Sequence, residues 1–276
     1  MRNEKNASRP KMVSHFSFLI SHFAIDIGNS RVKFALYERD MVHRFQTLSS
    51  AIRACVRKET VHWGIGSVCP AKTEKIVEQI RRKRPSDTIT VLTAKDIPLK
   101  TAVDSPEKVG IDRLLAAYAA VCWRRKHHPR ETQKPMLVCD LGTAITIDLV
   151  SPDDIFLGGA ILPGMNLATK CLRRGTAQLP NTESFATSPF PGTNTADAIR
   201  TGIFNGTIGA IRRFYDLAKA EPLLILTGGD AEIILPEIQR EFPAFFLPQL
   251  VLDGIHALIS SLGTAGILPA PGLAGF

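Results

Sequence analysis

Two short acidic turns are the residues of this chain best suited to chemistry. The first is Asp26-Ile27-Gly28-Asn29-Ser30, which follows the apolar run Phe23-Ala24-Ile25 and leads into Arg31-Val32-Lys33 and a second apolar run, Phe34 to Leu36. The second is Asp140-Leu141-Gly142-Thr143-Ala144, set in the same way between Leu137-Val138-Cys139 and Ile145 to Val150. A carboxylate at the end of a strand can hold magnesium against phosphate oxygens, directly or through water. The adjacent glycine lets backbone approach a phosphate with no Cβ in the way. Asn29 and Ser30 add polar donors, and their amides suit an anion-binding nest. Lys33 is long enough to reach a phosphate. One such turn is ordinary hairpin chemistry, because aspartate and glycine favour turns in any case. Two in the same strand context point to a phosphate gripped between two hairpins.

A third segment fits the same chemistry. Leu226-Thr227-Gly228-Gly229-Asp230-Ala231 is an apolar strand running through a double glycine into a helical pattern. Glycine there permits close approach by a base, ribose or phosphate, although a plain strand-to-helix turn would look the same. Asp112, in Gly110-Ile111-Asp112-Arg113, opens another helical pattern. On its own it reads as a first-turn carboxylate complementing the helix dipole. Thr195 reads equally as an N-cap.

The elements that must position these residues alternate. Strands are expected near 23–28, 31–38, 61–66, 89–92, 136–141, 144–150, 155–161 and 223–226. Helices are expected near 71–82, 107–123, 164–174, 194–219, 230–240 and 251–261. This is an α/β pattern, and the paired hairpins favour mixed sheets over parallel ones. The repeated turn suggests two similar halves, 23–130 and 131–264, with an N-terminal extension (1–22, Met12 being a candidate initiator) and a Pro- and Gly-containing tail (265–276). A signal peptide is disfavoured, since cleavage after the apolar run from Phe16 would destroy the first turn.

Composition narrows the class. The chain has 276 residues, 45% hydrophobic and 22% charged, which suits one large or two modest globular domains. No segment reads as a membrane span. Cys55, Cys69, Cys122, Cys139 and Cys171 form no paired motif and read as reduced, buried thiols. The seven histidines show no metal-ligand spacing. The net charge of +8 gathers at Arg81–Arg84, Arg124–Lys126 and Arg173–Arg174. The first two clusters end helical patterns, where cations complement the dipole. With no recognition motif beside them, they read as a solvated exterior rather than a nucleic-acid surface.

The two hairpins and the T-G-G loop resemble the superfamily of acetate kinase, sugar kinases, heat-shock ATPases and actin. Within it the chain resembles the type III pantothenate kinases, from about residue 23 to about 262. The resemblance is carried by D-I-G-N-S-R-V-K (Asp26–Lys33), G-S-V-C-P (Gly66–Pro70), P-E-K-V-G-I-D-R (Pro106–Arg113) and D-L-G-T-A-I-T-I-D (Asp140–Asp148). It continues through G-G-A-I-L-P-G (Gly158–Gly164), N-T-A-D-A-I-R-T-G (Asn194–Gly202) and T-G-G-D-A (Thr227–Ala231).

That resemblance implies two ribonuclease-H-like halves in an actin-like ATPase fold. It also implies ATP-dependent phosphorylation of pantothenate, by a cytoplasmic homodimer that engages neither membrane nor nucleic acid. It makes Asp112 the catalytic base. It assigns ATP binding to Asp26, Ile27, Gly28, Asn29, Ser30, Arg31, Val32, Lys33 and Thr143, with Asp26 nearest magnesium. Asp140 becomes the ligand of a monovalent cation, potassium or ammonium. Gly110, Ile111, Asp112, Arg113 and Thr195 become pantothenate contacts, and Arg113 suits the substrate carboxylate. Asp148 receives no role. One position departs from the family pattern: Val103 stands where a tyrosine is frequent. The apolar breadth of the helix from Val109 gives independent support for a subunit contact, unless that helix is simply buried between layers. Another small-molecule kinase of the superfamily and a non-catalytic regulator of the same fold are the alternative functions.

Overall fold

The run Phe23–Ile27 is buried along its whole length, so it must lie inside a sheet with both faces covered. The computed structural model describes residues 21–38, 41–58, 60–180, 182 and 190–264. The expected N-terminal extension up to residue 20 and the C-terminal tail lie outside them. In the described residues the run belongs to β1 (Ser21–Ile27), which turns at Gly28 into β2 (Val32–Glu38) and β3 (Met41–Phe45). Then come α1 (Leu48–Ala54), β4 (Val61–Ser67), α2 (Pro70–Lys83) and β5 (Thr88–Val91). Thr47 and Ser50 cap α1 reciprocally, and Pro70 opens α2 where its missing N–H costs nothing. After the two-residue strand β6 (Lys100–Thr101) comes the long helix α3 (Ile111–His127).

The second half begins with β7 (Met136–Leu141), β8 (Ala144–Val150) and β9 (Ile155–Pro163), followed by α4 (Met165–Gly175) and α5 (Thr195–Leu217). It ends with β10 (Leu223–Thr227), α6 (Ala231–Ile238), β11 (Ala244–Phe246) and α7 (Leu250–Thr264). Both sheets are mixed, as the hairpins foretold. Among the described residues the first runs β3-β2-β1-β4-β5 and the second β11-β10-β7-β8-β9-β6. Leaving aside the edge strand β6, the second order repeats the first element for element. In both, the central strand pairs antiparallel with its hairpin partner and parallel with the strand on its other side. The repeat seen in the two turns therefore extends to a whole ribonuclease-H-like topology, used twice.

Three apolar clusters hold these layers. One lies between the first sheet and α1 and α2, and one joins the second sheet to helices including α5 and α6. The largest lies between the two sheets and is filled by α3 and α7. Ala116, Ala117, Ala119 and Ala120 of α3 are all buried there. The breadth of that helix is used inside the chain, so it no longer speaks for a subunit contact. The basic cluster at its end is not wholly solvated either. Arg124 is 1% exposed, donates to the carbonyls of Lys134 (2.6 Å) and Pro152 (3.2 Å), and pairs with Asp154. Cys171, on α4, is exposed rather than buried.

The approach of α7 to α3 depends on one glycine. A Cβ on Gly254 would lie 2.4 Å from the Leu115 carbonyl oxygen, a backbone atom that cannot swing away. Gly254→Ala should therefore separate the two helices and lower stability by ~1–3 kcal/mol. Urea denaturation should show a lower midpoint at unchanged slope; an unchanged midpoint would mean that the helices already have slack.

Candidate active site

The register of the first hairpin sets Lys33 directly across from Asp26. Their side chains meet at 3.3 Å, with Asp26 buried at the end of β1 and Lys33 partly open to solvent. In the second hairpin the residue across from Asp140 is Thr146, so this carboxylate has no cross-strand cation. Burial raises both aspartates above the usual carboxylate range. The Lys33 ammonium offsets this in part, and the neighbouring carboxylates add to it. Asp140 is pushed up to about 6. Burial also raises Asp148, on β8, against the pull of Arg113.

Asp112 is the common neighbour. Its charge contributes to the rise at Asp26, at Asp140 and at Asp148. It stands in the first turn of α3, and its Oδ1 accepts from the Arg113 amide at 2.9 Å. The residues singled out in three separate motifs thus converge on one cleft.

The turn tips meet across that cleft. The Thr143 hydroxyl donates to the Ser30 hydroxyl at 2.9 Å, joining the second hairpin to the first. The Gly28 amide closes its own turn on the Arg31 carbonyl at 3.0 Å. Lys72, on α2, donates to the carbonyls of Asn29 (2.6 Å) and Gly28 (3.2 Å). It fixes the outer side of the loop, and sequence alone did not single it out. The Ile27 side chain is fully buried, so Ile27 can serve a ligand only through its backbone; Val32 is its cross-strand partner.

The T-G-G loop closes the same cleft. Gly228 has φ of +92°, and a Cβ there would come within 2.4 Å of the Asp140 carboxylate. Any side chain at 228 would be strained and would also crowd the acid. The Asp230 amide donates to the Leu141 carbonyl at 3.0 Å, tying the loop to the end of β7. Arg31 reaches across from the first hairpin: its charge acts on Asp230, and its guanidinium lies 3.7 Å from where a Cβ on Gly229 would be. Beside these residues a cleft of about 560 Å³ is lined by Arg31, Lys33, Gly228, Gly229 and Gln249, among others.

The substrate motif is divided. Gly110 is the N-cap of α3, and Ile111 is buried beneath it. Arg113 is paired with Asp148, the residue given no role from sequence. Val103 packs against the apolar core between the sheets. Its Cγ1 lies 3.2 Å from where a Cβ on Gly158 would be, so it lines the strand beside Phe156. Thr195 is the exposed first residue of α5, and the N-cap is Asn194, which accepts from the Asp197 amide at 3.0 Å. Among the described residues, no hydrogen bond or ion pair of Asp26, Asp112 or Asp140 reaches Thr195. Three of the histidines gather well away from the turns. His22 lies 5.9 Å from His62 and 5.4 Å from His256, ring centre to ring centre, and burial holds all three below the usual imidazole range.

The family model described as type III pantothenate kinase matches residues 22–217. A type III pantothenate kinase of Alkalilimnicola ehrlichii is 36% identical, over 87% of this chain and 98% of its own length. Those of Rhodopirellula baltica and Persephonella marina are 32% and 31% identical, covering 79% and 87% of this chain and 81% and 98% of themselves. Among solved structures, a Campylobacter jejuni protein described as a Baf family transcriptional activator superposes with a TM-score of 0.57 at 22% identity, over 87% of this chain and 98% of its own. A Sinorhizobium meliloti protein described as a 2-dehydro-3-deoxygalactonokinase gives 0.53 at 13%, over 90% and 100%. The fold is shared with these solved structures, and the chain belongs to the type III pantothenate kinase family.

Proposed function

We propose that this chain transfers the γ-phosphoryl group of ATP to the primary hydroxyl of pantothenate. The products are 4′-phosphopantothenate and ADP, in the first step of coenzyme A synthesis. The observation that carries the reading is the convergence of Asp26, Asp112 and Asp140 on one cleft, in a chain of this family. Phosphoryl transfer needs positioning and charge stabilisation more than covalent chemistry, and two facing polar turns supply both. ATP lies with its phosphates between the turns, contacting Asp26–Lys33 and Thr143. Asp112 takes the proton of the attacking hydroxyl. Gly110, Ile111 and Arg113 hold pantothenate, and Arg113 faces its carboxylate. Thr195 is retained as a further substrate contact.

The carboxylates suit cations. Asp26 and Asp140 offer oxygen donors of the kind hard metal ions take, with Lys33 as a nearby counter-charge; among the described residues no group of three or more such side chains could hold a metal ion, so phosphate oxygens would have to complete each site. Asp26 would hold magnesium and Asp140 potassium or ammonium, and these ions would offset charge developing on the phosphates. The enzyme is proposed to act in the cytoplasm as a homodimer, without nucleic acid. Among the described residues no helix is long and apolar enough to cross a membrane. The division at residues 130 and 131 is kept as the boundary of the two halves.

A coupled ADP-release assay with and without pantothenate and potassium tests the reading. ADP release indifferent to pantothenate would return the choice to another superfamily kinase or a regulator. Asp112→Asn should lower kcat by ~10²–10⁴-fold with the fold retained, and an unaltered kcat would remove Asp112 from the role of base.

A second expectation follows from Asp140. Its folded pKa of about 6 lies above the unfolded value of 3.8, so its charge opposes folding at any pH above about 6. That opposition is relieved as pH falls from about 6 toward 4. In cation-free buffer at pH 7.5, Asp140→Asn should melt a few degrees above the parent, with a gain on the order of 2–3 kcal/mol at most. The difference should close toward pH 4. Potassium should raise the melting temperature of the parent and not of the variant. Equal melting curves at pH 7.5 would show that the Asp140 charge is already neutralised.

A further inference from the structure

Asp148 is 2% exposed, lies on β8, and belongs to none of the roles above. A buried carboxylate needs a partner. Its partner is Arg113, reached from α3. Arg113 Nε lies 3.1 Å from both carboxylate oxygens, and Nη2 donates to Oδ1 as well. The contact is side-on: it uses the Nε edge of the guanidinium and leaves Nη1 and one Nη2 hydrogen directed elsewhere. Among the described residues these remaining donors have no hydrogen-bond partner. Beneath the guanidinium lies the buried ring of Phe156, its centroid 5.6 Å from Cζ. Arg113 is thus held along one edge by Asp148 and over one face by an aromatic ring.

Arg113 sits one residue from Asp112, the proposed base, and successive helix residues face different directions. The Asp112 Oδ1 takes the Arg113 amide, and the guanidinium goes to Asp148.

Resting on the function proposed above, we infer that Asp148 is a positioning residue that sets the reaction's preference for a substrate bearing a carboxylate. It fixes Arg113 so that the free fork of the guanidinium meets that carboxylate. A planar fork held in advance loses little freedom on binding, which is how an arginine discriminates by geometry as well as by charge. An asparagine at 148 keeps the shape but offers one acceptor and one donor, so an amide N–H would oppose a guanidinium N–H.

The test compares two substrates in the full-length enzyme: pantothenate, and pantothenyl alcohol, in which a hydroxymethyl group replaces the carboxylate. For the parent, kcat/KM should favour pantothenate. For Asp148→Asn, KM for pantothenate should rise by ~10-fold, the loss of about one good charge-assisted hydrogen bond. KM for ATP and kcat/KM for the alcohol should stay near parental values, so the preference should shrink by the same ~10-fold. Asp148→Glu restores the carboxylate and should recover part of the preference. Equal losses for the two substrates would make Asp148 merely structural and overturn the inference. An increased preference for pantothenate would also overturn it, showing Asp148 to act only as a counter-charge. If the parent phosphorylates neither compound, the proposed function fails first and this inference falls with it; a parent that works with an unchanged ratio in the variant sinks the inference alone. Should Asp148→Asn fail to fold, Arg113→Lys gives the same comparison from the other side of the pair. A parental preference in Arg113→Lys would sink the inference too.

Discussion

Four carboxylates in one cleft are the constraint on which the rest of this structure depends. Asp26, Asp112, Asp140 and Asp148 act on one another electrostatically, with Lys33 and Arg113 as the cations among them. Water would disperse such a group of like charges, and burial makes them costly. The site is therefore short of positive charge at neutral pH, and the apolar clusters must hold it together against that repulsion. The cations proposed above would offset that imbalance. Nucleotide phosphates, which travel with metal ions, are the natural complement.

The means of holding the cleft is duplication. Each half presents a hairpin at the end of its central strand, and each central strand is buried on both faces, so its terminal aspartate cannot move sideways. The two sheets are then joined by α3 and α7 in one apolar cluster. The helix that fills the space between the sheets also delivers Asp112 and Arg113 at its first turn. The proposed base and its neighbour are thus positioned by the largest apolar cluster among the described residues rather than by a loop.

Much of this was legible in the sequence because it is periodic or local. Apolar runs marked the central strands, glycine marked the turns, and the double copy of the acidic turn announced two halves. What was not legible depends on contacts between distant segments. The short strands β3, β6 and β11 have little pattern of their own and exist because an edge is there to pair with; β6 takes its partner from β9, far along the chain. Arg124 reads like its solvated neighbours Arg125 and Lys126, and only the fold brings Asp154 and two carbonyls to it. Lys72 lies in an unremarkable first helical turn, and its contacts with Gly28 and Asn29 cross from α2 to the hairpin. Asp148 was visible as a charged residue on an apolar strand, an anomaly that asks for a partner, but spacing could not say that the partner was Arg113. At the start of α5, the plain alternative to a substrate role for Thr195 was an N-cap, and Asn194 does that capping, a shift of one residue that local pattern cannot resolve.

The two halves have not stayed equivalent, and the difference bears on the division of labour proposed for their turns. The first hairpin carries its own counter-charge, because Lys33 lies opposite Asp26 in register. The corresponding register position of the second hairpin is Thr146, which brings no charge. Lys33 still acts on Asp140 from across the cleft, but burial and the surrounding carboxylates outweigh it. Gly228 then closes over the same aspartate, with no room for a side chain. Asp140 therefore lacks the cross-strand cation that Asp26 has, which agrees with the monovalent ion that the family resemblance assigns to Asp140. A lysine opposite Asp140 would supply one. By leaving that position neutral, the second half would make its charge balance depend on the proposed ion, while the first half carries Lys33 beside its own aspartate.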